Sequence, residues 1–201
     1  MPRTHPEQPV SREDDGALQR VRQALRGHLP ARADVLTGVV LQDGATTLEV
    51  DLLVVWPGVG LAVIEVAGGH VSCLDGAWWQ GSGAGRRRID PVGRVRSTTR
   101  TLLGLLERDG LAAARSATGQ LVAVPHVYVP ATWDAPEAPR GTLLDRAQLT
   151  DGGPAVHAVR RAITNHGGGF PPLDDAAAAA LVDWAAGRVP TATAVAADAR
   201  G

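Results

Sequence analysis

Apolar residues recur along the chain with two different periods, and the switches between them mark its elements. Leu18, Val21, Ala24 and Leu25 fall at i, i+3, i+6 and i+7, which predicts a helix over residues 15–29 with Asp14 or Asp15 as its cap. The short β-branched segment 35–41 reads as a strand and 42–45 as a turn. Residues 47–56 and 61–67 are two further apolar strands, joined by Pro57-Gly58-Val59-Gly60, the composition of a hairpin. Residues 71–79 add a fourth strand, or two short pieces around Asp75-Gly76, and a Gly/Arg loop covers 81–88.

Beyond that loop the helical period returns. Val92, Val95, Leu102, Leu103 and Leu106 predict a helix over 91–108, opened by Pro91 in its first turn and stopped near Gly110. Alternation over 121–129 predicts a buried strand, 131–140 a proline-rich loop, and 142–144 a short edge strand. Two last helices follow at 154–164 and 173–187. The order helix, three or four strands, helix, strand, helix, helix predicts an α/β fold with a central mixed sheet flanked by helices. A chain of 201 residues needs one domain, expected over 13–187 between a flexible lead at 1–12 and a flexible tail at 188–201.

Composition narrows the function. A hydrophobic content of 44% and a charged content of 20% suit a packed globular fold. The net charge of −1 supplies no global basic field, so any polyanion must be met by a local patch. Single Cys73 excludes an internal disulfide framework and a cysteine zinc cage. The longest apolar run, 52–66, is interrupted by Pro57, Gly58 and Gly60 and carries Glu65, so no membrane span is expected. The first ten residues lack the apolar core of a secretory signal, and a cytoplasmic location is expected. All 20 cationic residues are arginine. No lysine can therefore act as catalyst, Schiff base or phosphate clamp, although an Ala/Gly/Arg-rich vocabulary is also what GC-rich coding produces.

Two carboxylates, Asp51 and Glu65, stand inside otherwise apolar strands, a costly placement unless each is paired or holds a cation. Glu49 is expected to face solvent. A five-residue loop at 56–60 would pair 55 with 61 and bring 51 beside 65 on one face; a four-residue loop would put them on opposite faces. Convergent carboxylates suit Mg²⁺, a hard cation that takes oxygen ligands and waters, activates water and neutralises charge at phosphorus. The alternative is that the two acids are satisfied by arginines or sit at exposed strand ends.

The block V-D-L-L-V-V-x-P-G-x-G-L-A-V-I-E-V-x-G-G at 50–69, with H-V-S-C-L-D-G-A-W-W at 70–79 and D-P-V-G-R-V-R at 90–96, resembles the nuclease-related domain (NERD) family. A-L-R-x-x-L-P at 24–30 and the strand before Pro130 support the resemblance, which runs over roughly residues 12–165. It implies a restriction-endonuclease-like fold of the PD-(D/E)xK superfamily, with Asp51 and Glu65 as the metal-binding acids and Ala67 at the lysine position. That lysine orients or activates the attacking water and stabilises developing charge, work an alanine methyl cannot do. Leu18 stands where a helix glutamate is expected and Arg94 where a glutamine is. The implied function is that of a relative of Mg²⁺-dependent DNA phosphodiester hydrolases, weak or catalytically degenerate. The alternative is a noncatalytic module that keeps the fold and binds nucleic acid or a protein partner.

Arg86, Arg87, Arg88, Arg94, Arg96 and Arg100 form the only dense positive region and could follow a nucleic-acid backbone, or be a solvated loop and helix face. Arg94 is also a permanent cation able to grip a phosphate bidentately. Trp78-Trp79 is expected to pack the strand end on the sheet rather than to stack a base. His70 adjoins the acidic pair, but no two histidines have metal-ligand spacing, and Gly167–Gly169 lacks the lysine of a phosphate loop.

Overall fold

The computed structural model describes residues 12–74, 77–133, 135–166 and 169–188. The lead and tail expected at the two ends therefore fall almost wholly outside the described residues. Helix α1 (Arg12–Arg26) is followed by strands β1 (Asp34–Asp43), β2 (Thr46–Trp56) and β3 (Gly60–Val66). Next come β4 (Val71–Leu74), β5 (Ala77–Gln80), β6 (Arg87–Ile89) and helix α2 (Pro91–Arg108). Strands β7 (Thr118–Val124) and β8 (Leu143–Asp145) and helices α3 (Arg146–Asp151), α4 (Gly153–His166) and α5 (Asp175–Ala186) complete the chain.

The central sheet has the order β1-β2-β3-β7-β8, antiparallel at its first two pairings and parallel at its last two. It is the mixed sheet flanked by helices that the element order predicted, and it is consistent with the restriction-endonuclease-like fold that the resemblance implied. One face packs Leu53, Val55, Leu61 and Val63 against α2 and α5, with Val71 and Trp78 of the small sheet joining them. The other packs Leu52, Val54, Ala62 and Ile64 against α1 and α4. Apolar side chains on both faces explain why β2 and β3 read as continuous hydrophobic runs rather than alternating ones.

Several expected boundaries move. Helix α1 begins at Arg12, so Asp14 and Asp15 lie inside it rather than capping it, and it stops at Arg26. Apolar period reports only the buried face, and a polar first turn leaves no mark in it. The pieces at 71–79 do not extend the central sheet but form their own antiparallel sheet with β6. Residues 87 and 88, expected as the end of a loop, form its third strand together with Ile89. Strand β7 ends at Val124 instead of continuing to 129: Pro125 brings no ladder donor, and Val127 turns back to donate its N–H to the Val124 carbonyl at 3.1 Å. Helix α3 was not expected at all. It is short, and its start is fixed by tertiary contacts of Asp145, which is almost fully buried. That carboxylate accepts from Gln148 N–H in a capping box, from Val129 N–H, and from Arg140 at 3.0 Å.

Candidate functional site at the β2–β3 opening

The hairpin between β2 and β3 closes with the odd spacing that the acidic pair requires. Val55 faces Leu61 and Leu52 faces Ile64. One further step in that register puts Asp51 opposite Glu65, but the ladder has already ended there. Strand β2 parts from β3, and the Asp51 carboxylate takes the place of a strand carbonyl, accepting the Val66 backbone N–H at 2.7 Å. On the far side β3 stays paired to β7 through Val66, and Ala67 N–H donates to the Ala123 carbonyl at 2.9 Å.

A break in side-chain alternation aims Asp51 into this opening. Leu48 and Val50 pack on the same face as Leu53 and Val55, so the two-residue period slips by one between 50 and 53. The same slip occurs in β1 between Leu36 and Val39, across Gly38, whose φ of +64° belongs to the left-handed region that glycine adopts without strain. Asp51 lies between these flanking segments, where Thr37 still faces Leu52 and Val39 still faces Val50. A strict period of two would have assigned Asp51 simply to the face of Leu53.

Glu65 is only 7% exposed. Burial, then the neighbouring Asp51 carboxylate, push its carboxyl up from 4.5 to about 8, against the opposing pull of Arg94. Arg94 Nε lies 3.0 Å from Glu65 Oε1, with the arginine side chain 62% exposed. Solvent screens that guanidinium, so burial wins and Glu65 is largely protonated near neutrality.

Arg94 is placed by the start of α2. Asp90 caps the helix by accepting Gly93 N–H at 2.8 Å, and Pro91 fills the first helical position, where no donor is needed. A Cβ on Gly93 would lie 2.1 Å from the Asp90 carboxylate, so any larger residue there would require that carboxylate to shift. The cap fixes the first turn, and the first turn carries Arg94 over β3. Sequence reading placed Pro91 there but missed Asp90; the signal was its position just before a proline at a helix start.

The remaining predicted residues distribute unevenly around the pair. Ala67 is buried, 6% exposed, at the end of β3, and Arg94 is the cation brought to Glu65 from another element. Leu18 packs with the opposite core, across the sheet from Glu65. Arg86, Arg87, Arg88, Arg96 and Arg100 are exposed on the small sheet, its loop and α2. Arg86 lies over the Trp79 ring at 4.3 Å, Arg87 donates to Gln80, and Arg96 donates to the Glu137 carbonyl at 3.1 Å. Trp78 is buried against Trp133, with ring centroids 5.6 Å apart, as expected for packing. His70 and Glu49 are exposed.

The family profile of the nuclease-related domain matches residues 13–127, more than half of the chain. The chain belongs to the nuclease-related domain family. Comparison with curated proteins and with solved structures finds no match. No helix among the described residues of this nuclease-related domain is long and apolar enough to cross a membrane. Among those residues no group of three or more His, Cys, Asp or Glu side chains gathers as a metal cluster. Asp51 and Glu65 thus make the acidic part of the opening. Their donor set fits a hard divalent cation completed by waters and a phosphate: two converging carboxyl groups supply oxygen ligands, a cation would favour the deprotonated Glu65 that burial and Asp51 disfavour, and Arg94 is its competitor for Glu65.

Proposed function

We propose that this nuclease-related domain binds nucleic acid along its arginine-bearing face and hydrolyses phosphodiesters weakly at Asp51 and Glu65. The observation that carries this reading is the Arg94–Glu65 pair at 3.0 Å in a buried corner shared with Asp51. Such a corner keeps the acids of a phosphodiesterase but neutralises one of them internally. Asp51 and Glu65 would hold Mg²⁺, whose chemistry there is charge neutralisation at a phosphate and the lowering of a water's pKa.

The chain's own residues define what remains. Glu65 must give up its proton and its arginine before it becomes a full anionic ligand. Arg94, once released, is a permanent guanidinium beside the acids, able to hold a phosphate oxygen but unable to accept a proton at neutral pH. Ala67 offers no group to orient a water. A missing orienting group of that kind lowers a rate on the order of 10²- to 10⁴-fold. Arg86, Arg88, Arg96 and Arg100 supply local positive charge that the net charge of −1 does not.

Plasmid nicking with Mg²⁺ or Mn²⁺, together with DNA binding as a function of salt, tests this. Salt-sensitive binding, slow nicking abolished by Asp51→Ala, and faster nicking by Ala67→Lys are the expected results. Absence of both nicking and salt-sensitive binding overturns the reading in favour of a protein-interaction module.

A further inference from the structure

A cleft of about 600 Å³ opens between the first turn of α2, the small sheet and the 131–140 segment, within the size range of small-molecule sites. Its lining includes Trp78, Arg88, Asp90, Arg96 and Glu137. Two buried polar atoms belong to these residues and have no hydrogen-bond partner among the described residues: the Trp78 indole Nε1 and the Glu137 Oε1. Trp78 is 6% exposed. An unmet buried donor or acceptor costs about 1–3 kcal/mol, so each gains from a partner. Asp90 is already engaged in capping α2, and Arg96 is steadied by its bond to the Glu137 carbonyl. The cleft thus exposes two guanidinium groups and is backed by one N–H donor and one carboxylate oxygen that lie covered in its wall, and Gly93 of that wall adjoins Arg94 of the acidic opening.

We propose that this cleft binds one unpaired nucleobase of a single strand, guanine before the others, with the attached phosphate on Arg88 and Arg96. The inference rests on the reading that this face meets nucleic acid. Every base carries an acceptor that could take the indole N–H and a donor for the carboxylate. Guanine alone sets two N–H donors beside its carbonyl on the Watson–Crick edge, and charge-assisted bonds from both to one carboxylate outweigh a single neutral bond. In a duplex that edge is used in pairing, so recognition through it demands an unpaired or extruded base. Both polar atoms are covered by neighbouring groups, so the base reaches them with a side-chain turn of Glu137 rather than by rigid insertion.

The test is calorimetric titration of the full chain, without divalent metal and at low salt, with GMP, AMP, CMP and dTMP, beside binding of a mixed-sequence single-stranded oligonucleotide. The expected result is tightest binding of GMP, with Glu137→Gln weakening GMP about tenfold and erasing its advantage over CMP. Trp78→Phe keeps a ring and removes the N–H, and a similar loss is expected; Glu137→Gln, on a loop, stays informative if that variant unfolds. Oligonucleotide binding with no mononucleotide binding, or GMP affinity equal to that of CMP, or unaltered by Glu137→Gln, overturns the cleft assignment and leaves the nucleic-acid reading standing. Failure of every ligand to bind also overturns the cleft assignment, and the plasmid-nicking and salt-dependent DNA-binding assays then decide the nucleic-acid reading.

Discussion

Replacing Glu65 by glutamine removes one titrating proton while preserving side-chain shape, and the consequence for stability follows from the geometry. The folded-state pKa of Glu65 is raised, from 4.5 to about 8. The stabilisation tied to its protonated form is therefore fully present below pH 4.5 and is lost as pH rises through about 8. Between those limits the native state holds a proton that the unfolded chain has released. Wild-type stability should fall by at most about 1.4 kcal/mol per pH unit there, on the order of 4 kcal/mol across the window. Glutamine at position 65 has no such dependence.

Urea unfolding of the metal-free wild type and Glu65→Gln at pH 5, 6, 7, 8 and 9 measures this, because titrating groups remote from the Asp51–Glu65 pair contribute to both curves and cancel in their difference. That difference should grow in favour of Glu65→Gln as pH rises. Two further variants fix the cause. Asp51→Asn removes a repelling carboxylate and should shift the step to lower pH; Arg94→Ala removes the attracting guanidinium and should shift it to higher pH. A difference curve flat from pH 5 to 9, or one that grows toward acid, would refute the placement of Glu65 as a buried acid beside Asp51.

Three other substitutions probe the frame around the site. Asp145→Ala leaves Arg140 and Val129 N–H without their buried partner, and urea unfolding should show a loss of about 3–5 kcal/mol, far above that of an exposed aspartate. Asp90→Ala removes the cap of α2; it should lower stability by about 0.5–2 kcal/mol and speed hydrogen exchange in the first turn that carries Arg94, with the helix centre unaffected. Gly119→Ala would place a Cβ 2.7 Å from the Ala162 and Ile163 backbone of α4, so a loss of at least about 1–3 kcal/mol is expected in thermal unfolding, and unchanged stability would contradict the close packing of β7 on α4.

How much of the site was readable depends on which residues carried it. Asp51 and Glu65 stood out because acids are rare in apolar strands, and the Pro57-Gly58-Val59 connection gave the correct register as soon as its odd length was assumed. Arg94 stood out as a departure from the family pattern and as one of a basic cluster, and nothing in its neighbours showed that it would reach Glu65 from α2. The slip at Gly38 and Asp51 was invisible, because residues 48–56 are apolar on both faces and a change of alternation among them leaves no polar signature. Asp145 and Glu137 were passed over for a different reason: Glu137 lies within the proline-rich loop and Asp145 shortly after it, where acids are unremarkable until tertiary contacts bury the Asp145 side chain and the Glu137 Oε1 atom.

The amino-acid sequence alone determined the α/β class, the β2–β3 hairpin, the α2 helix with Pro91 at its head, and the two acids set into apolar strands. These are local matters of period, turn chemistry and residue type, and they act over a few neighbours in the chain. Only the tertiary structure decided that β4, β5 and β6 form a sheet of their own, that Asp51 bridges to Val66 where the ladder parts, and that Arg94 reaches Glu65. Those outcomes depend on which distant segments compete for the same buried donor or charge. Burial energies, not sequence neighbours, settle that competition.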